Sequence, residues 1–160
     1  MKEFLLKEKK YIEETVSKLR ALNESKILEK PNGKWSVKEI LGHLVDSASN
    51  NHQRFIRAQY TDDLIFPGYG QDEWVNVQDY QNGDWQTLIE LWKSFNLHLV
   101  FAIDKIPGNI LKKERVNHNL YEIAAAEFVK EKPVTLEEFI KDYYSHLRHH
   151  VTQLFKQAGE

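Results

Sequence analysis

The chain has 160 residues, 41% of them apolar, with a formal net charge of -2. That length suits one domain with a sizeable core, expected to span residues 1–160, and the apolar content excludes a mainly disordered chain. No basic block suggests a nucleic-acid surface. The absence of cysteine removes disulfides, a protein thiolate nucleophile and zinc–thiolate sites, so metal ligation would fall to histidine and carboxylate. The start, from Met1 to Glu8, is charged too early for a signal peptide, and no apolar run approaches the roughly 18 residues of a membrane span. A cytoplasmic protein is the default expectation.

Taken in order, residues 2–22 predict a first helix, with Leu5, Tyr11 or Ile12, Val16, Leu19 and Leu22 on one face. Asn32-Gly33 marks a turn. A second helix is expected over 37–60. Ser36 and Glu39 form a capping box, with Trp35 and Ile40 as its hydrophobic staple. Its apolar stripe runs through Val37, Ile40, Leu41, Leu44, Ala48 and Phe55. A polar stripe of His43, Asp46, Ser47, Asn50 and Arg54 runs beside it. Such a stripe is either a solvated face or the lining of a cavity within a bundle.

Residues 61–83 break the helical pattern with Pro67, Gly68, Gly70 and Asn82-Gly83, and carry Phe66, Tyr69, Trp74 and Tyr80. A connection this long is uncommon unless it has a function or a short helix of its own, expected here near 72–77. Its aromatics either pack on the bundle or form a lid over a pocket. A third helix is expected over 84–106, capped by Asp84 and stopped by Pro107-Gly108. Its stripe reads Leu88, Leu91, Trp92, Phe95, Leu99, Ala102 and Ile106, with His98 beside it. In the least legible part, 109–133, residues 116–121 read as extended and 124–130 as a helical turn. Thr135 and Glu138 then form a second capping box, with Val134 and Phe139 as staple, opening a fourth helix over 136–157. The pattern predicts an all-α fold, an antiparallel four-helix bundle with long crossovers.

Histidines interrupt the apolar stripe of that last helix. His146 and His150 are four apart, one turn above each other, whereas His149 points away. Such a pair is either one core and one solvated imidazole or two ligands of one cation. His43 is the natural third ligand if the second and fourth helices face each other. Three imidazoles would leave a coordination position open, as at catalytic sites, and would suit Zn²⁺ or Ni²⁺ better than Mg²⁺ or Ca²⁺. His98 or His118 are the competitors for one of the three places. No HExxH, di-iron carboxylate or glycine-rich phosphate motif is present.

Trp35-Ser36-Val37, His43-Leu44-Val45-Asp46-Ser47, Asn50, Arg54-Phe55 and His146-Leu147-Arg148-His149-His150 together resemble the DinB superfamily, most closely its YfiT-like branch, which includes bacillithiol transferases. The resemblance runs from Lys34 to Phe155 and implies a four-helix bundle holding a divalent metal through His43, His146 and His150. It places Asp46, Asn50 and Arg54 on the stripe following the first ligand, and Tyr69 and Trp74 among the aromatics after the second helix. The function this implies is activation of a low-molecular-weight, bacillithiol-like thiol at the metal for S-conjugation to an electrophile. Arg54 would hold a cofactor carboxylate, or else form a surface ion pair. Tyr69 and Trp74 would line the cofactor site, and Asp46 or Asn50 would orient a ligand or the metal-bound water. Two alternatives use the same ligands: a hydrolase acting through metal-bound hydroxide, and a non-catalytic, metal-stabilised bundle that binds a small molecule. The expected partner is a small-molecule substrate, with neither nucleic acid nor membrane, and a homodimer stays open.

Overall fold

The computed structural model describes residues 1–160 and is built on four long helices: α1 (Lys2–Ala21), α3 (Val37–Arg57), α5 (Trp85–Asp104) and α8 (Leu136–Ala158). Between them lie α2 (Glu24–Leu28), α4 (Gln71–Gln78), a 3₁₀ turn (Tyr80–Asn82), α6 (Gly108–Leu111) and α7 (Leu120–Ile123). One two-residue antiparallel ladder pairs β1 (Glu114–Arg115) with β2 (Val134–Thr135). The fold is the expected all-α four-helix bundle. No helix is long and apolar enough to cross a membrane.

Both expected capping boxes form. The Ser36 and Thr135 side chains accept from the N–H groups of Glu39 and Glu138, whose carboxylates reach back to the cap N–H groups. Asp84 caps α5 by accepting from Thr87 N–H at 2.7 Å. The fourth-helix stripe of Leu136, Phe139, Ile140, Tyr143, Leu147, Val151 and Leu154 is buried throughout.

The helices do not simply alternate in direction. Helix α1 runs against α5, with Leu19 beside Trp85 and Arg20 beside Glu90 at one end and Leu5 beside Leu97 at the other. Helix α3 runs against α8, placing Phe55 on Phe139 and Tyr143. Yet α3 and α5 run the same way, with Lys38 near Asp84 and His52 near His98. So do α1 and α8, where Phe4 meets Tyr144 and Glu8 meets Arg148. The chain from 58 to 84 must therefore travel back along the bundle before α5 can start.

Three local expectations are corrected. In α5, Leu91 is exposed, while Ile89, Asn96 and Ile103 are buried. Asn96 accepts a 2.6 Å hydrogen bond from the Tyr143 hydroxyl. Residues 116–121 are not an extended run: Leu64 bridges His118, and α7 follows at once. The helical turn expected at 124–130 sits earlier, at α7. Helix α2 was not anticipated; Asn23 caps it through Ser25 N–H.

Candidate metal centre

Helix α3 presents His43 to the core two turns after its capping box, and α8 presents His146 and His150 on successive turns opposite it. The ring centroids of His43 lie 5.5 Å from His146 and 4.9 Å from His150, and those of His146 and His150 are 4.5 Å apart. One side-chain nitrogen from each of the three lies within 4.8 Å of the others. The remaining four histidines are elsewhere. His52 and His98 pair with each other at 5.0 Å. His149 is exposed, its ring centroid 5.4 Å from that of His150. His118 is tied up locally, its Nε2 2.9 Å from the Lys132 carbonyl and its Nδ1 accepting from Leu120 N–H.

His43 is fully buried, and neither of its ring nitrogens has a hydrogen-bond partner. Leaving a polar group in that condition costs about 1–3 kcal/mol, which a ligand to the ring would offset. The Trp35 ring packs on the imidazole at 5.0 Å. Burial drives the His43 pKa down to about 3, with His150 and His146 pushing the same way. Burial likewise takes His146 to about 4, helped by His150 and His149. His150 is also lowered by burial, opposed by its bond to Gln153 and assisted by His149. All three are therefore neutral at pH 7, the form that donates a lone pair to a metal. Gln153 Oε1 stands 3.0 Å from His150 Nδ1, which fixes that nitrogen and leaves Nε2 free. The donor set and the unpartnered His43 fit a divalent ion of the Zn²⁺ or Ni²⁺ type.

His146 also forms one end of a cavity of about 120 Å³. Ser47, Asn51 and Arg54 line it from α3, and Phe139, Asp142 and Tyr143 from α8. Tyr69 and residues 123–125 close it from the two connecting segments. The Asp142 carboxylate is already committed, accepting from Ala126 N–H at 2.7 Å and Ala125 N–H at 3.1 Å. Arg54 is 5% exposed, and donates to the Pro67 carbonyl at 2.9 Å and to Asn51 Oδ1 at 3.5 Å. Burial lowers its pKa, and the nearby Tyr69 phenol opposes this. Burial pushes the Tyr69 pKa up to about 12, with Asp46 adding to the rise.

The other residues singled out from the sequence stand away from this cavity wall. Asp46 Oδ1 accepts from the Tyr80 hydroxyl and from Gln78 Nε2, each at 2.7 Å. Burial raises its pKa against those two hydrogen bonds. Asn50 donates to the Asp46 main-chain carbonyl at 2.9 Å and sits in a small second recess with Arg57 and Pro67, which Arg54 also lines. Trp74 packs behind Tyr69, ring centroids 5.0 Å apart. The cavity row on α3 is thus Ser47, Asn51 and Arg54, in line with His43, and not the neighbouring row through Asp46 and Asn50. Asn51, Asp142 and Gln153 escaped the sequence reading. Each is three or four residues from another site residue, the spacing that places side chains on one helix face.

A family model for the DinB superfamily matches residues 10–154. No curated protein matches the sequence. Among solved structures, YfiT from Bacillus subtilis aligns with a TM-score of 0.75 over 99% of this chain and 87% of its own, at 19% sequence identity. That protein is described as a probable metal-dependent hydrolase with an unusual four-helix bundle topology. At this identity the likeness establishes a shared fold. The family match starts inside α1 and ends inside α8, so it takes in the helices that carry all three histidines, and on that span the chain belongs to the DinB superfamily.

Proposed function

We propose that the protein is a metal-dependent transferase that activates a low-molecular-weight thiol at His43, His146 and His150 and conjugates it to an electrophile. The observation that carries this reading is a three-imidazole cluster beside a cavity whose one acid, Asp142, is already occupied by backbone N–H groups. A divalent ion held by His43, His146 and His150 would lower the pKa of a coordinated thiol, supplying a nucleophile at neutral pH without a protein base.

The chain's own residues supply the rest. Trp35 and the core fix His43, and Gln153 holds His150 by Nδ1. Tyr69 and Phe139 add aromatic surface to the cavity wall. Arg54 places a fixed positive charge at its other end. In the transfer, the S–H proton leaves to solvent and a sulfur lone pair forms the new S–C bond. The leaving group departs with the electron pair of the bond that breaks.

Hydrolysis is the second reading. It is favoured by the description of YfiT and uses the same ligands with water in place of the thiol. The test is to purify the protein without a polyhistidine tag, measure its metal content, and assay S-conjugation with several small thiols beside ester and amide hydrolysis. We expect metal-dependent conjugation that disappears in His150→Ala together with the metal. Metal-dependent hydrolysis without conjugation would replace the transferase reading with the hydrolase. Metal binding with neither activity would leave a non-catalytic bundle.

A further inference from the structure

We propose that the slot between His146 and Arg54 takes a short carboxylate-bearing ligand, its carboxylate on Arg54 and its reacting end toward the three histidines. The proposal rests on the metal–thiol reading above and adds the chemical class that the site selects.

A guanidinium has five N–H donors and is charged at any pH a protein meets. Arg54, 5% exposed, has as its partners only the neutral Pro67 carbonyl at 2.9 Å and the neutral Asn51 amide oxygen at 3.5 Å. A buried charge with no counter-ion is costly unless something supplies the opposite charge. Asp142 shares the cavity, but its two oxygens accept from Ala125 and Ala126 N–H. Arg115 makes the contrast. It is as buried, yet its guanidinium donates to three main-chain carbonyls, of Ala58, Ile110 and Lys113, and it lines no part of this cavity. Arg115 thus has three main-chain acceptors outside the cavity, although its Nε has no partner, whereas Arg54 has two neutral acceptors and lines the slot.

The dimensions set the ligand's size. Ser47, Asn51 and Arg54 share one face of α3, and the seven residue steps from Ser47 to Arg54 span about 10 Å. The cavity of about 120 Å³ is small and partly open, which suits a short-chain acid. The carboxylate belongs either to the thiol or to the electrophile, and both sources offer the same chemistry to Arg54.

The experiment uses the metal-loaded full-length protein. Calorimetric titration compares 3-mercaptopropionate with 2-mercaptoethanol, and propionate with propanol. Conjugation rates, each divided by the uncatalysed rate, compare iodoacetate with iodoacetamide and the two thiols with each other. We expect the acid of a pair to bind about tenfold or more tightly than its neutral partner, in line with a charge-assisted bond. In Arg54→Gln that ratio should fall to about twofold or less at unchanged metal content, and Arg54→Lys should retain part of it. The pair in which the preference appears during conjugation identifies which reactant carries the acid. A preference that persists in Arg54→Gln would put the carboxylate on the metal and overturn the proposal. Absence of any preference in the unmodified protein would overturn it without recourse to a variant. Arg54-dependent acid binding without conjugation would instead remove the transferase reading and leave the carboxylate site standing.

Discussion

His43 combines zero exposure with two unpartnered ring nitrogens, a condition that costs stability unless a ligand reaches the ring. His43→Leu, close in volume and without polar atoms, should abolish metal binding and leave the metal-free protein about 1–2 kcal/mol more stable, as read by urea denaturation. Protons test the same residues. In the unfolded chain histidine titrates near 6.5, whereas in the folded chain His43 and His146 wait until about 3 and about 4. Between those limits the unfolded state binds more protons, so stability rises with pH and is lost as pH falls below about 6.5. Asp46, whose pKa is raised, works the other way, gaining stability as pH falls from its folded value toward the ordinary carboxylate range. With His43, His146 and His150 all shifted down against one acid shifted up, the melting temperature in chelator should fall between pH 7 and pH 4.5, and His146→Asn should flatten the slope. At this scale the sequence showed the three histidines and Arg54, because helical spacing alone sets those positions on a face. It could not choose between the α3 rows through Asn50 and Asn51. Both rows follow steps of three and four, and only the placement of α8 decides which one meets the cavity.

Elements were legible where their signals are local. The capping boxes at Ser36 and Thr135 and the cap at Asp84 fixed the starts of three long helices. In α5 the burial reading slipped because the helix packs on both α1 and α3, so its apolar arc is wide and Leu91 reads like Ile89. Residues 109–133 resisted for another reason: their partners are far away in sequence. Arg115 donates to Ala58 O, and Asn119 brackets Phe66 through its N–H and carbonyl. No local periodicity encodes such bonds. The return segment after α3 depends on one close approach, Tyr80 lying flat over Gly42. A Cβ there would stand 2.2 Å from the Tyr80 ring. Gly42→Ala should therefore displace Tyr80 from Asp46, cost about 1–3 kcal/mol, and raise hydrogen exchange over residues 78–83 while α8 stays protected.

For the molecule as a whole, an ion that binds only the folded state adds to its stability by mass action. At a free concentration one hundred times Kd the gain is about 2.7 kcal/mol, or roughly 5–10 °C for a chain of this size. Differential scanning calorimetry should show that rise with Zn²⁺ or Ni²⁺, its reversal by chelator, and no rise at all in His43→Leu. The parallel course of α3 and α5 has a further consequence. It obliges the polypeptide to make a long return journey, and that journey delivers Tyr69 to the cavity, just as the passage before α8 delivers residues 123–125. The three imidazoles, by contrast, stand on the two long helices. The wall of the cavity is thus shared: Ser47, Asn51 and Arg54 come with α3, Phe139, Asp142, Tyr143 and His146 with α8, and the rest with the connecting segments. Exchanges, insertions or deletions in the return journey would therefore alter the part of the cavity wall that Tyr69 supplies, while the histidines and Arg54 keep the places that α3 and α8 give them.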